Sequence, residues 1–172
     1  GHKVALISRS PLRSEFKTYV WNPGKKEFPA EALADTEVIV HLAGSGIADR
    51  RWSKSYKQEI LKSRTDSAQL IFDTLKNNKH KVHTIVAASA VGYYGKTNDV
   101  WVDENCPAAD DFLGNTCKLW ERSSLQFESL GIRVAIMRIG KANYFHFYFP
   151  RSLSPCRLWK VCRIILHRRA VS

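Results

Sequence analysis

Four short, nearly all-apolar runs rich in Val and Ile, at 4–7, 38–40 (continuing to 43), 85–88 and 134–137, constrain the fold most. None alternates with polar residues, which is how strands buried on both faces of a parallel sheet read. Segments of helical spacing lie between them. From 53 to 75, Tyr56, Ile60, Ser67, Ile71 and Leu75 recur near a helical period among Lys, Gln, Glu and Arg. From 115 to 130, Trp120, Ser124 and Phe127 share a face, and Gly131 predicts the stop. Strands alternating with helices build βαβ units, so the expected class is α/β, a Rossmann-like parallel sheet with flanking helices. A chain of 172 residues holds one such domain. Pro23, Gly24 and Pro29 punctuate a long link between the first two runs, and an acid-rich loop from 95 to 111 is long enough to be functional.

The net charge of +11 is unevenly placed. All 16 acidic residues fall between Glu15 and Glu128, and residues 1–140 hold 20 basic residues against them. Most of the excess therefore belongs to 141–172, which contains no acid and no glycine. Cys106, Cys117, Cys156 and Cys162 show no metal or redox spacing and read as free thiols in a reducing compartment. His80 and His83 lie in a Lys-rich turn without a third ligand, so no metal site is expected. No apolar run approaches the roughly 20 residues of a membrane span, and the start shows no signal peptide. The expected location is the cytoplasm, or a mitochondrion or other organelle whose targeting segment is outside this sequence.

Three constellations carry chemistry. The first run ends in Ser8-Arg9, with Arg13 close behind and no acid. At the corresponding strand end of a dinucleotide-binding fold an acid bonds the ribose 2′-hydroxyl, whereas an arginine accommodates a 2′-phosphate. A solvated loop arginine would read the same way. The second run ends in Leu42-Ala43-Gly44, which lets a backbone approach a flat ligand, or simply makes a tight turn. The third ends in Ser89, followed by Tyr93-Tyr94. A hydroxyl at the carboxyl end of a parallel strand faces the ligand crevice of open α/β sheets and could polarise a substrate oxygen. It could equally be a small residue packed beneath a helix.

Together with Arg51-Trp52, Ser63-Arg64, Ala-Ser-Ala-Val-Gly-Tyr-Tyr-Gly, Cys117-Lys-Leu-Trp-Glu121 and Arg138-Ile-Gly140, these motifs make residues 1–140 resemble the atypical, epimerase-like short-chain dehydrogenase/reductases, the nucleoside-diphosphate-sugar-epimerase-related proteins. The resemblance implies NADP as cofactor, with Ser8 and Arg9 at the adenosine 2′-phosphate and Leu42, Ala43 and Gly44 along the adenine–ribose path. It implies Ser89 as the catalytic serine and Tyr93 or Tyr94 as proton relay. The substrate would be a small carbonyl or sugar-like molecule, and a homodimer is the partner arrangement the superfamily suggests.

Three departures qualify those expectations. The sequence opens at what resembles the turn before the family's second strand, so the first strand and its glycine loop, which hold the pyrophosphate, are expected to be missing. Leu113 and Cys117 stand where a Tyr-x-x-x-Lys pair would be, and Lys118 is one position off. Residues 141–172 replace the family's substrate domain with a basic aromatic tail that reads like a translated intron or shifted frame. The chain is therefore expected to be a truncated product with an incomplete sheet that binds NADP weakly or not at all. Two rival readings are a non-catalytic NADP sensor and a basic-tail binder. In the latter, 157–169 would form an amphipathic helix on anionic membrane or nucleic acid, although no specific nucleic acid is expected.

Overall fold

The computed structural model describes residues 2–97 and 100–140, and the backbone of 164–169. Six strands form one sheet: β1 (His2–Ser8), β2 (Lys17–Val20), β3 (Val38–His41), β4 (Thr84–Ala90), β5 (Arg133–Ile139) and β6 (Ile164–Arg169). Their order is β2-β1-β6-β3-β4-β5. The β1–β2, β3–β4 and β4–β5 pairs are parallel, while β6 runs antiparallel to both β1 and β3. Two α-helices connect them, α1 (Lys54–Asn77) and α2 (Phe112–Leu125). No helix among the described residues is long and apolar enough to cross a membrane.

The four apolar runs are strands; β1, β4 and β5 are slightly longer than their apolar stretches, whereas β3 ends at His41, short of position 43. β2 is one the sequence concealed: in Lys17-Thr-Tyr-Val the two ends are exposed and the two middle residues half-buried, as a short edge strand allows. The link before β3 is therefore part strand, and Trp21 N extends the ladder by donating to Ser8 O at 3.0 Å.

Both helices begin as their cap residues dictate. Ser53 accepts from Tyr56 N, and Asp111 accepts from Gly114 N at 2.7 Å, each relieving an orphan donor of the first turn. Tyr56, Ile60, Ser67, Ile71 and Leu75 are all buried, so the spacing named the inward face of α1 correctly. α2 starts three residues earlier than its apolar spacing suggests. It passes into a 3-10 turn (Gln126–Leu130) that ends at Gly131, whose φ of 74° is costly for any side chain with a Cβ. Between sheet and helices lies a core of Ile7, Trp21, Leu33, Ile39, Ile71, Leu75, Ile85 and Phe127.

The place at the centre of the sheet is taken by a strand the sequence analysis did not expect there. The position between β1 and β3 is filled by β6, whose Ile164 pairs with Ile7 and His41 and whose Leu166 pairs with Ala5 and Ile39. Two backbone edges left facing each other would expose unpaired N–H and C=O groups, and an extended segment of either direction satisfies them. The tail segment 164–169 is accordingly a strand and not part of a basic amphipathic helix; positions 157–163 lie outside the described residues, as do Cys156 and Cys162.

Candidate functional site

The parallel strands deliver their loops to one edge of the sheet, and the candidate residues gather there in two groups. The first surrounds Arg9, just past β1. Arg9 is exposed and lines two cavities. One, of about 330 Å³, is walled by Trp21, Asn22, Ala43, Ser63 and Ser67. The other, of about 190 Å³, is walled by Gly44, Ser45, Asp49, Arg50 and Glu59. The loop after β3 is tied down on α1: Ser45 N donates to Ser63 Oγ at 2.9 Å, and Tyr56 Oη donates to Gly46 O at 2.5 Å. Gly44 sits directly over the buried Arg64, whose Cζ would lie 3.0 Å from a Cβ added there. Its bareness therefore answers a close approach within the protein.

The other expected contacts around Arg9 divide. Leu42 is exposed and Ala43 is buried. Ser8 is also buried, and its hydroxyl donates to Ser10 O. A phosphate contact through the Ser8 side chain does not fit that orientation, whereas Arg9 remains free to make one.

Beneath this group lies a polar cluster the sequence did not reveal. His41, at the end of β3, is fully buried, and its Nε2 stands 3.0 Å from Ser67 Oγ. Because Ser67 spends its hydrogen on Arg64 O at 2.8 Å, His41 must donate through Nε2. Its Nδ1 has no hydrogen-bond partner among the described residues. Burial first, and the Arg64 charge second, push the imidazole down to about 4, so it is neutral near pH 7. Arg64 itself donates to Ile60 O at 2.8 Å and lies over the Trp120 ring at 4.9 Å.

The second group joins β4, α2, β5 and the 3-10 turn Val91–Tyr94. Ser89 is 1% exposed, and its Oγ donates to Glu121 Oε1 at 2.6 Å. Arg138 grips the same carboxylate in two places, Nε to Oε1 and Nη2 to Oε2, each at 2.9 Å. Its Nη1 reaches Tyr94 Oη at 2.7 Å and Glu104 O at 3.2 Å, and its guanidinium lies 3.6 Å from the Tyr93 ring centre. The Glu121 hydrogen bond leads in raising the Arg138 pKa and keeps that side chain charged.

This geometry redistributes the expected roles. Ser89 has one hydrogen, already given to Glu121, so it faces α2 as an anchored side chain instead of offering a free donor to the crevice. Tyr94 accepts from Arg138, which leaves its own hydrogen available. Glu121 was missed as a site residue although one signal was present. It shares the buried face of α2 with Cys117, Trp120 and Ser124, where a carboxylate requires a cationic partner. Lys118 is exposed, and the Cys117 thiol is buried and pushed up in pKa by that burial, so neither replaces a Tyr-x-x-x-Lys pair. His83 Nδ1 contacts Thr84 Oγ1 at 3.0 Å, and the described residues contain no group of three or more possible metal ligands.

A largely parallel sheet with helices packed on it, and with its candidate polar groups collected at the carboxyl ends of the strands, is of the Rossmann-like α/β class. Comparisons with known proteins narrow this. The chain is 38% identical over 137 residues to an epimerase family protein of Mycobacterium bovis, covering 80% of this chain and 44% of that one. It superimposes on a nucleoside-diphosphate sugar epimerase from Corynebacterium glutamicum with a TM-score of 0.61 and 28% identity, over 76% of this chain and 26% of that one. A human epimerase family protein crystallised with NADPH shares the fold, with a TM-score of 0.61 and 24% identity over 88% of this chain and 50% of that one. No family model matches. The relatives that the chain matches are thus epimerase family proteins, and it spans less than half the length of the M. bovis relative.

Proposed function

We propose that this chain is the nucleotide side of an NADP-dependent, oxidoreductase- or epimerase-like protein acting on a carbonyl or sugar-like substrate. The single observation that carries the reading is Arg9, exposed between two cavities at the end of β1 with no carboxylate hydrogen-bonded to it among the described residues. A guanidinium there receives a 2′-phosphate by two parallel N–H···O bonds, whereas a 2′-hydroxyl would give it no charge to meet. The wall of Ala43 and Trp21 suits a flat adenine, and Gly44 lies on the wall of the neighbouring cavity, along the adenine–ribose path.

The fit is good for the adenosine 2′-phosphate and poor for the pyrophosphate. In Rossmann-like sheets the pyrophosphate rests on a helix N-terminus that follows the central strand. Here β6 fills the central place and runs in the opposite direction, so the strand there does not bring its carboxyl end to that edge. The 172-residue chain therefore holds NADP weakly and does not turn over substrate.

When bound, the nicotinamide would supply or accept a hydride. This chain's own contribution at that end is positional. Tyr94 offers its hydroxyl hydrogen to a substrate oxygen, and Arg138, bridging Tyr94 and Glu121, fixes the phenol. Ser89 fixes the carboxylate in turn. Residues 1–140 carry these groups, and the compartment in which they work is the cytoplasm or an organelle.

Amide chemical-shift mapping on the isotope-labelled chain tests the reading. NADPH should move the signals of Arg9, Ala43, Gly44 and Ser45 first. Shifts confined to other surfaces would refute the placement.

A further inference from the structure

Just past β1 the chain reads Arg9-Ser10-Pro11-Leu12-Arg13. Residues 9–14 are in neither helix nor strand, and all of them except Leu12 are exposed. A serine followed directly by proline, with a base three positions after it, suits the substrate groove of a proline-directed kinase. Pro11 biases Ser10 toward extended backbone and asks for no acceptor, and Arg13 supplies the positive charge by which such grooves choose their substrates. The neighbouring serines do not compete. Ser8 is 1% exposed and gives its hydrogen to Ser10 O, while Ser14 accepts from Phe16 N and is followed by Glu15. The bond from Ser8 also ties the Ser10 backbone to the strand end, so a group carried on Ser10 stays beside Arg9.

We propose that Ser10 is a phosphorylation site, and that a phosphate on it closes the 2′-phosphate position at Arg9. The proposal rests on the cofactor reading above and adds its regulation. In the transfer Ser10 Oγ bonds to the γ-phosphorus of magnesium-bound ATP, whose bond to the β,γ-bridging oxygen breaks. ADP leaves with that oxygen, and the hydroxyl proton passes to the kinase's catalytic aspartate. The product carries a charge of about −1.5 to −2 near pH 7. Arg9 and Arg13 are the cations beside it, and residues 8–14 contain no acid. Arg9 then meets the protein's own phosphate, and an incoming 2′-phosphate meets a like charge. NADH lacks that phosphate and depends on neither effect.

The test treats the full chain with a purified cyclin-dependent kinase and its cyclin in the presence of magnesium and ATP. Peptide mapping and titrations with NADPH and NADH follow. Phosphate is expected on Ser10, and none there in Pro11→Ala. The phosphorylated chain should bind NADPH at least about tenfold more weakly, as the loss of charge-assisted bonds requires, with NADH little changed and a phosphatase restoring the original affinity. Ser10→Ala should bind NADPH like the untreated chain both before and after kinase treatment. No phosphate on Ser10, or phosphate there with unchanged NADPH affinity, would overturn the proposal and leave the cofactor reading standing. If the unphosphorylated chain binds no NADPH, the cofactor reading fails and the proposed closure falls with it.

Discussion

Ser89 Oγ gives its only hydrogen to Glu121 Oε1 at 2.6 Å, while Arg138 holds the same carboxylate through Nε and Nη2. One carboxylate on α2 thus joins the ends of β4 and β5, and through Arg138 it fixes Tyr94. The order of dependence runs from Glu121 outward, which makes Glu121 the residue whose loss disturbs the most partners.

Glu121→Ala should therefore destabilise the fold. It leaves Arg138, only 18% exposed in this pair, without its carboxylate, and it strands the Ser89 hydroxyl. Removing one partner of a buried ion pair costs about 3–5 kcal/mol, and solvent at the rim places this pair near about 3 kcal/mol. Urea denaturation measures it, and an unchanged midpoint would show that the network contributes nothing to stability.

His41 sets an acid limit on stability. Its folded value, held at about 4 by burial, is below the unfolded value of 6.5. Below pH 6.5 the unfolded chain takes up a proton that the folded chain refuses, so stability falls as pH drops toward about 4. Across that window the loss is about 3 kcal/mol at 1.36 kcal/mol per unit. Denaturant midpoints between pH 7 and 4 should show the slope, and His41→Gln should flatten it. The same slope in the variant would assign it to other groups.

Gly44→Ala should be poorly tolerated although the loop around it is only partly buried. Its Cβ would stand 3.0 Å from Arg64 Cζ and 3.2 Å from Cγ, and Arg64 is buried over Trp120 with little room to retreat. Overpacking of this kind costs about 1–3 kcal/mol. A thermal melt reads it, and an unchanged midpoint would mean that Arg64 shifts freely.

Arg9→Ala should separate the two nicotinamide cofactors without affecting stability, because the side chain is exposed. Losing charge-assisted bonds of about 1.5–3 kcal/mol weakens NADPH roughly 10- to 100-fold and leaves NADH alone. Equal weakening of both would place the arginine at a phosphate common to the two.

Much of the fold was legible because burial writes itself into periodicity. Val38, Ile39 and Val40 read as a two-faced buried strand, and Tyr56 through Leu75 read as one face of a helix. Lys17 through Val20 did not, since a short edge strand with a charged end carries no distinctive pattern. Arg9 could be singled out because a strand end is a fixed place relative to the crevice. The Ser89–Glu121–Arg138 chain could not, as hydrogen bonds across 32 and 17 residues depend on which elements pack together. β6 was the least readable. Its sequence has the apolar start of many segments, and only the unfilled gap between β1 and β3 gives it a place.

The most direct test of the central claim is a titration of the purified chain with NADPH and with NADH, followed by tryptophan fluorescence and thermal melting. Trp21 lines the cavity beside Arg9 and is a reporter within reach of a bound adenosine. Saturable quenching and a raised melting temperature with NADPH, at concentrations where NADH does little, is the predicted result. Equal responses to both cofactors, or none to either, would contradict an NADP site built on Arg9.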